Sequence, residues 1–489
     1  MVKNEYRGEW FSPNYENVKL PGVLFIDKKS NKITLKTYSE INFKGHLIKR
    51  MGEIFPREKI ILGLTEDGSQ ITLYDYSGRE DGAVILSHWI GGKTFESVFE
   101  PSYLFIGTHL KSSDQVKFKS YTFRYSHFSK WFDVHRKYYY REFKSEDTVT
   151  ITNSKVPDYI IPLENGCTIR IICECFGKGD FSLNHKMKVK HFARFEFDTP
   201  QSFFTFQKIS ASFREFLTFA IGHPIHTIEE NAECLLPDHW HKLDSTIEIL
   251  SSRKKKDKER IWDHDMFFCS KQFSKEQLKE FIINWFKIYD KFQAAIDIFI
   301  HAVHPFWEPG NTTVKNVQFT NGLLNIAQSI ETFYRRDNLI EYSVQRKSFD
   351  EHRNSLISSI KNKATNLGFS KDDVQFLNNY LIFGKTKDDI SFKNIILYFL
   401  NKLNVALGGY FLDDEKEGFA ESLKNFRNEC THVDHENSAD LGSNYDLPYL
   451  FHYSQILFYS IVLERIGVSQ TQINAILADS KRYARYYKQ

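Results

Sequence analysis

Hydrophobic positions along the chain follow two different periods, which divide the sequence into a β-patterned part and a helical part. Up to about residue 198, short runs rich in Val, Ile, Tyr and Phe alternate with turn residues, as is typical of strands. The tetrapeptide EDGS at residues 66–69 separates two of these runs, and Asp-Gly is a strong hairpin signal. The predicted strands lie in LPGVLFID, KIILGL, SQITLYDY, SYLFIGTHL, VKFKSYTFRY, CTIRIICECF and ARFEFD.

The run VKFKSYTFRY changes its pattern midway. Apolar side chains occupy even positions at Val116 and Phe118 but odd positions at Tyr121 and Phe123. This switch predicts a β-bulge or a change of packing partner. The short, turn-separated strands together predict an antiparallel β-sandwich or barrel-like region.

From about residue 201 the period becomes helical. Apolar residues from Phe206 to Ala220 keep helical spacing, and Gly222 and Pro224 then predict the end of that helix. The last predicted helix is apolar nearly all round, which predicts a buried position. The helices predicted after the first cover 274–303, 320–336, 371–383, 391–406, 417–434 and 447–466.

Strands followed by helices indicate separate domains rather than an alternating α/β fold. The sequence therefore predicts a multidomain α+β protein in three parts. These are a β-rich region at 1–198, a helical connecting region at 199–315 and an all-α domain at 316–489.

Composition narrows the class of protein. The 489 residues carry 65 Lys+Arg against 62 Asp+Glu, so any nucleic-acid contact must be a local site. No apolar run is long enough to span a bilayer, and the first residues hold no apolar signal core. The six cysteines lack framework spacing, as in reduced cytosolic proteins. We expect a cytoplasmic protein with no membrane partner.

One short motif combines residues suited to catalysis: Arg427-Asn428-Glu429-Cys430-Thr431-His432. On the predicted 417–434 helix, Asn428 and His432 lie about 40° apart, on the face opposite the apolar stripe. The side chains of Arg427 and His432 are about 140° apart on a straight helix. They converge on one phosphate only if the arginine extends, the helix distorts or a second protomer contributes.

Glu331 lies on the margin of the apolar stripe of the predicted 320–336 helix, where a carboxylate needs a partner. Two interpretations remain open. Glu331 forms an i,i+4 ion pair with Arg335, or it positions a catalytic arginine.

These motifs resemble a known superfamily. The RN-x3-H motif late in a helical bundle, with E-x3-R-R at 331–336 on an earlier helix, resembles the HEPN ribonucleases. The stretches ILGLTEDGSQITLYD, YLFIGTHL and VKFKSYTFRYSHFSKWF resemble the N-terminal domain of the ApeA antiphage proteins. Residues 320–466 resemble the Apea-like HEPN domain, whereas 201–310 match only loosely. The resemblance implies that Arg427 and His432 are catalytic and that Asn428 supports them. It implies a role for Glu331 less specifically, because the upstream motif varies among HEPN branches.

The resemblance also implies a function: abortive infection through RNA cleavage. RNA carries its own nucleophile, the 2′-hydroxyl, so proton transfer by histidine and charge stabilisation by arginine suffice without a metal or cofactor. We expect single-stranded RNA or a tRNA loop as substrate and a phage protein as trigger, sensed by the N-terminal region. We also expect a homodimer or a higher even oligomer. The alternative is a non-catalytic binding and dimerisation module.

Three other features have competing interpretations. The basic segment at 251–260 is typical of a solvated loop, with an RNA-backbone patch as the alternative. Cys430, His432, Asp434 and His435 lack the paired spacing of common zinc sites. The basic and aromatic tail at 481–488 favours packing at a helix end over stacking on RNA.

Overall fold

The chain divides into two compact units, Met1–Ile283 and Asn284–Gln489. An antiparallel sheet dominates the first unit and helices form the second, so the predicted α+β class is confirmed. The computed structural model describes residues 5–27, 32–40, 60–76, 85–89, 92–112, 115–132, 139–145, 148–153, 156–178, 186–233, 246–251, 261, 266–307, 316–337, 352, 355–375, 391–431, 445–480 and 482–486.

Within these residues, the first unit contains one large sheet of fourteen strands and a separate two-stranded hairpin. Every strand pairing in both is antiparallel. The large sheet has the order β12-β13-β14-β9-β15-β16-β8-β5-β4-β1-β2-β3-β7-β6, and β10 pairs with β11. The strands are β1 (Glu5–Phe11), β2 (Leu20–Asp27), β3 (Lys32–Glu40), β4 (Ile60–Thr65), β5 (Gln70–Tyr76), β6 (Ile85–Trp89), β7 (Gly92–Phe99), β8 (Pro101–Ile106), β9 (Lys117–Tyr125), β10 (Tyr139–Ser145), β11 (Thr148–Asn153), β12 (Tyr159–Pro162), β13 (Cys167–Lys178), β14 (Lys186–Ser202), β15 (Thr227–Glu233) and β16 (Thr246–Ser251).

The hairpin predicted from Asp-Gly is the turn between β4 and β5. Gly68 has a φ of 80°, a left-handed conformation that glycine adopts without strain. The backbone N–H of Thr65 donates to the carbonyl of Ser69 at 3.1 Å, which closes the turn. The prediction is confirmed.

The pattern switch in the 116–125 run is also confirmed. Phe118 and Ser120 are buried at even positions of β9, and Tyr121 and Phe123 are buried at odd positions. The register with β14 shifts at the same place, between Glu196 opposite Ser120 and Gln201 opposite Phe118. An irregularity in the partner strand thus accompanies the change of face.

The division at residue 283 differs from the predicted boundaries at 198 and 315. Two strands, β15 and β16, lie inside the segment predicted to be a helical connector, and β15 pairs with β9 of the sheet. The sequence TIEENAE has only two apolar residues, so β15 gave no strand signal. Its Glu230 is buried and accepts a hydrogen bond from the hydroxyl of Tyr121 at 2.7 Å, which satisfies the carboxylate.

Among the described residues, the first unit also contains the helices α1 (Phe128–Trp131) and α2 (Phe203–Ile221). The second ends as predicted, because Gly222 adopts a φ of 71° and its N–H bonds the carbonyl of Thr218. Aromatic rings of α2 pack on the sheet, with Phe206 5.7 Å from Tyr121. A third helix, α3 (Lys275–Trp307), contains the boundary between the two units.

The second unit continues with helices whose apolar faces form its core. Helix α8 is buried along most of its length, as its all-round apolar sequence predicts. Residues 355–366 and 371–375 are also helical, while the remainder of the predicted 371–383 helix and residues 252–260 of the basic segment lie outside the described residues. The labelled helices are α4 (Asn316–Asp337), α5 (Phe392–Lys402), α6 (Asn404–Leu407), α7 (Lys416–Thr431), α8 (Leu447–Arg465) and α9 (Gln470–Asp479).

Candidate functional site

The arginine of the RN-x3-H motif lies at the border between the core and the surface of α7. The buried face of this helix includes Phe419, Leu423 and Phe426. Arg427 directly follows Phe426, so its side chain flanks that face and remains 31% exposed. Asn428, one residue further round the helix, is exposed. The predicted placement of Asn428, on the face opposite the apolar stripe, agrees with the structure.

Glu331 on α4 holds Arg427 through one of its two carboxylate oxygens. Its Oε2 lies 2.5 Å from Nη2 of Arg427. Its Oε1 accepts two hydrogen bonds from Arg335, from Nε at 2.9 Å and from Nη2 at 2.8 Å. Glu331 therefore forms the expected i,i+4 pair with Arg335 and also contacts the motif arginine, because the two guanidinium groups use different oxygens of a carboxylate that is only 14% exposed.

A phenylalanine supports the other side of the Arg427 guanidinium. The central carbon of that group lies 4.9 Å from the ring centroid of Phe392, within the range of a cation–π interaction. Phe392 is the first residue of α5, whose N-terminus is capped by Ser391 accepting from the N–H of Asn394 at 3.3 Å. Three helices, α4, α5 and α7, thus meet at Arg427.

A pair of glutamates fixes α5 against α7 beside this point. Nζ of Lys393 lies 2.7 Å from the Glu417 carboxylate and 3.1 Å from that of Glu421. The hydrogen bonds that Lys393 donates to these two carboxylates raise its pKa, and the hydrogen bonds that Glu421 accepts from Lys424 and Lys393 lower the pKa of Glu421. Lys393 and Glu421 therefore stay charged at neutral pH, and their ion pair joins the two helices.

Tyr445 packs beside the C-terminal part of α7. Its hydroxyl donates to Oε1 of Glu429 at 2.6 Å, and its ring lies edge-on to Phe426 at 5.8 Å. Burial is the main cause that raises the pKa of Tyr445 to about 12. The hydrogen bond to Glu429 and the negative charge of that carboxylate act in the same direction. The phenol stays protonated at neutral pH and acts as a hydrogen-bond donor. Burial also raises the pKa of the Cys430 thiol, which disfavours a thiolate nucleophile there.

Comparison with known protein families identifies the fold that carries this cluster. Residues 5–285, more than half of the chain, match the family model of the ApeA N-terminal domain 1. The chain belongs to the ApeA family. Residues 324–472 match the Apea-like HEPN domain, which places this ApeA chain among the defence-associated HEPN nuclease families. No curated protein matches the chain, and no solved structure does.

The HEPN match of this ApeA chain spans the residues singled out from the sequence. Glu331 and Arg427 are brought together from positions 96 residues apart. His432 lies outside the described residues, as do Asp434 and His435 of the candidate zinc cluster. Within the described part of the chain, no group of three or more His, Cys, Asp or Glu side chains is arranged to hold a metal ion. None of the helices described there has the length and apolarity of a bilayer span.

Two residues of the cluster were not foreseen from the sequence. Phe392 begins an ordinary amphipathic helix, and nothing in its neighbourhood marks it as the ring beneath Arg427. Tyr445 precedes the buried α8, and its bond to Glu429 spans sixteen positions. Both contacts depend on tertiary packing, for which a single sequence carries no local signal.

Proposed function

We propose that this chain is an antiphage abortive-infection effector whose HEPN domain is a metal-independent endoribonuclease. The Glu331–Arg427 ion pair carries the proposal. It orients the motif arginine on α7, one residue before the exposed Asn428 and five before His432. The family match to an Apea-like HEPN domain supports the same reaction class.

The charge of the cluster suits a phosphate. Arg427 and Arg335 share one carboxylate, that of Glu331, so these three side chains together carry a formal charge of about +1. An arginine held on two sides loses less side-chain entropy when it binds a phosphate. Arg427 thereby supplies a pre-oriented cation that stabilises the negative charge developing on the phosphorus oxygens.

The remaining chemistry needs only proton transfer. In RNA the 2′-hydroxyl attacks the adjacent phosphorus, the bond to the 5′-oxygen of the next nucleotide breaks, and a 2′,3′-cyclic phosphate forms. His432 moves the protons, because an imidazole with a pKa near about 6.5 gives and takes protons at cellular pH. Asn428 supports this step by contacting the phosphate or fixing the imidazole tautomer. No metal ion or cofactor takes part.

The proposal extends to the partners of the reaction. The substrate is single-stranded RNA or a tRNA loop, whose unpaired bases and flexible backbone allow in-line attack. The active form is a homodimer or a higher even oligomer, in which each motif helix faces its mate. A phage protein sensed by the N-terminal unit is the trigger. The cell compartment that holds both host RNA and phage products is the cytoplasm.

The test is cleavage of RNA by the purified full-length protein in buffer containing EDTA. We expect products ending in 2′,3′-cyclic phosphate, and we expect His432→Ala and Arg427→Ala to lower the rate by about 10²–10⁴. Arg485→Ala is the matched control, because Arg485 also lies over an aromatic ring, Tyr486, at 4.8 Å. His301→Ala controls for loss of an exposed histidine.

Three results would contradict the proposal. A strict requirement for Mg²⁺ would replace the mechanism with a metal-dependent one. Cleavage by His432→Ala at the wild-type rate would remove the histidine from the reaction, and a wild-type protein that binds RNA without cutting it would favour the non-catalytic binding module.

A further inference from the structure

A pair of tyrosines, one exposed and one half-buried, lies on the two helices that hold Arg427. Tyr398 of α5 is 45% exposed. Its ring is 5.3 Å from that of Tyr334 on α4, in an edge-to-face arrangement. The next residue, Phe399, is buried and contacts both tyrosines, which fixes the pair to the core. A large aromatic ring is therefore held at a defined tilt on the surface of the helical unit.

Tyr334 of this pair is less than one helical turn along α4 from Glu331 of the Arg427 cluster. Tyr334 follows Glu331 by three residues, an advance of about 4.5 Å on the same side of α4. Tyr398 belongs to the same helix as Phe392, the ring beneath Arg427. The tyrosine pair is thus carried by the same two helices that position Arg427.

The end of α4 beside the tyrosines is strongly basic. Its last turn contains Arg335 and Arg336, and Arg336 donates from Nη1 to the carbonyl of Lys291 at 2.8 Å. Asp337 accepts from Nζ of Lys291 at 3.3 Å and from Nη2 of Arg465 at 2.6 Å. Four cations thus stand against two carboxylates here, Asp337 and Glu331, and the excess positive charge favours a polyanion.

We propose that Tyr398, supported by Tyr334, is a stacking subsite for the base of a nucleotide that flanks the cleaved bond in single-stranded RNA. The proposal rests on the proposed ribonuclease function and names the form of RNA that the site accepts. Bases stack on exposed aromatic rings regardless of their identity, and basic side chains follow the backbone. A base in a duplex is already stacked, so the subsite selects single strands. A second copy of the chain is a poorer occupant, because the proposed twofold pairing uses the motif helix α7, whereas Tyr398 and Tyr334 lie on α5 and α4.

The test measures binding apart from cleavage. The probe is a single-stranded 2′-O-methyl oligonucleotide carrying 2-aminopurine, whose fluorescence falls on stacking and which lacks the attacking hydroxyl. We expect Tyr398→Leu, which keeps an apolar side chain against Tyr334, to weaken binding roughly 5- to 100-fold and to abolish the quenching. Tyr398→Phe keeps the ring and should bind and quench as the wild type does. Tyr15→Leu is the matched control, since Tyr15 is 46% exposed in the other unit.

A parallel assay with unmodified RNA separates this proposal from the proposed function. We expect Tyr398→Leu to raise KM and to leave kcat unchanged. If wild-type protein cleaves RNA but Tyr398→Leu has the wild-type KM and affinity, the subsite is wrong and the ribonuclease stands. If the probe binds through Tyr398 but no RNA is cut, the subsite stands and the ribonuclease is wrong. If Tyr398→Leu no longer forms the dimer but binds the probe with unchanged affinity, the tyrosine pair is an interface with a second copy of the chain, and the proposal is wrong.

Discussion

At the scale of single residues, the Glu331 carboxylate determines where two guanidinium groups lie. It sits between Arg427 and Arg335 and gives each a separate oxygen. Charge-assisted pairs of this kind are directional as well as strong. In the proposed mechanism Glu331 is therefore a positioning residue, and its loss should affect the reacting geometry more than the fold.

Glu331→Gln tests this role. The amide keeps the size of the side chain but loses the charge, so we expect kcat to fall by about 10- to 100-fold with little change in KM. Glu464→Gln is the control, because Glu464 also forms an ion pair in the helical unit, with Lys402 at 3.0 Å. A Glu331→Gln enzyme with wild-type kcat would show that the pair is only structural.

At the scale of elements, the C-terminal tail packs along α8. The ring of Tyr483 is buried and its hydroxyl donates to Oε1 of Gln455 at 2.9 Å. Tyr486 stacks on His452 with ring centroids 4.9 Å apart. The described residues of the tail therefore pack on a helix, which is the interpretation that the sequence favoured.

This packing predicts a pH dependence of stability. Burial is the main cause that lowers the pKa of His452 to about 4, and the positive charges of Arg485 and Arg482 lower it further. In the unfolded chain the pKa of the imidazole is about 6.5, so the unfolded state takes up the proton first as the pH falls. The contribution of neutral His452 is complete above pH 6.5 and is lost progressively towards pH 4.

Thermal unfolding between pH 7.5 and 4.5 measures this effect. His452→Phe keeps a ring against Tyr486 and removes the titrating group, so its Tm should fall less steeply with decreasing pH than that of the wild type. Identical slopes for the two proteins would assign the acid sensitivity to other groups.

The same scale shows what the sequence allowed us to predict. Helices α7 and α8 and the β4–β5 hairpin carry local signals, namely apolar periodicity and an Asp-Gly turn, and were predicted close to their observed bounds. β15 was missed because its stability comes from pairing with β9, which is distant in sequence. For Glu331 the sequence offered two alternatives, an ion pair with Arg335 or contact with the motif arginine. Spacing along one helix favours Arg335 as the partner and says nothing about an arginine on a second helix.

At the scale of the whole molecule, the motif helix predicts assembly. Arg427 and His432 point about 140° apart on a straight helix, and a twofold pairing brings the arginine of one protomer towards the histidine of its mate. We expect light scattering at low micromolar concentration to show a dimer or a higher even oligomer as the species that cuts RNA. A monomer with full activity would contradict the composite site and leave the ribonuclease assignment intact.

The most direct measurement of the central claim is sequencing of RNA 3′ ends from cells that express the full chain during phage infection. For the wild type and Arg485→Ala, we predict new ends carrying 2′,3′-cyclic phosphate that appear after infection. His432→Ala and Arg427→Ala should yield none of these ends at equal protein levels. The same new ends in His432→Ala cells would contradict the account.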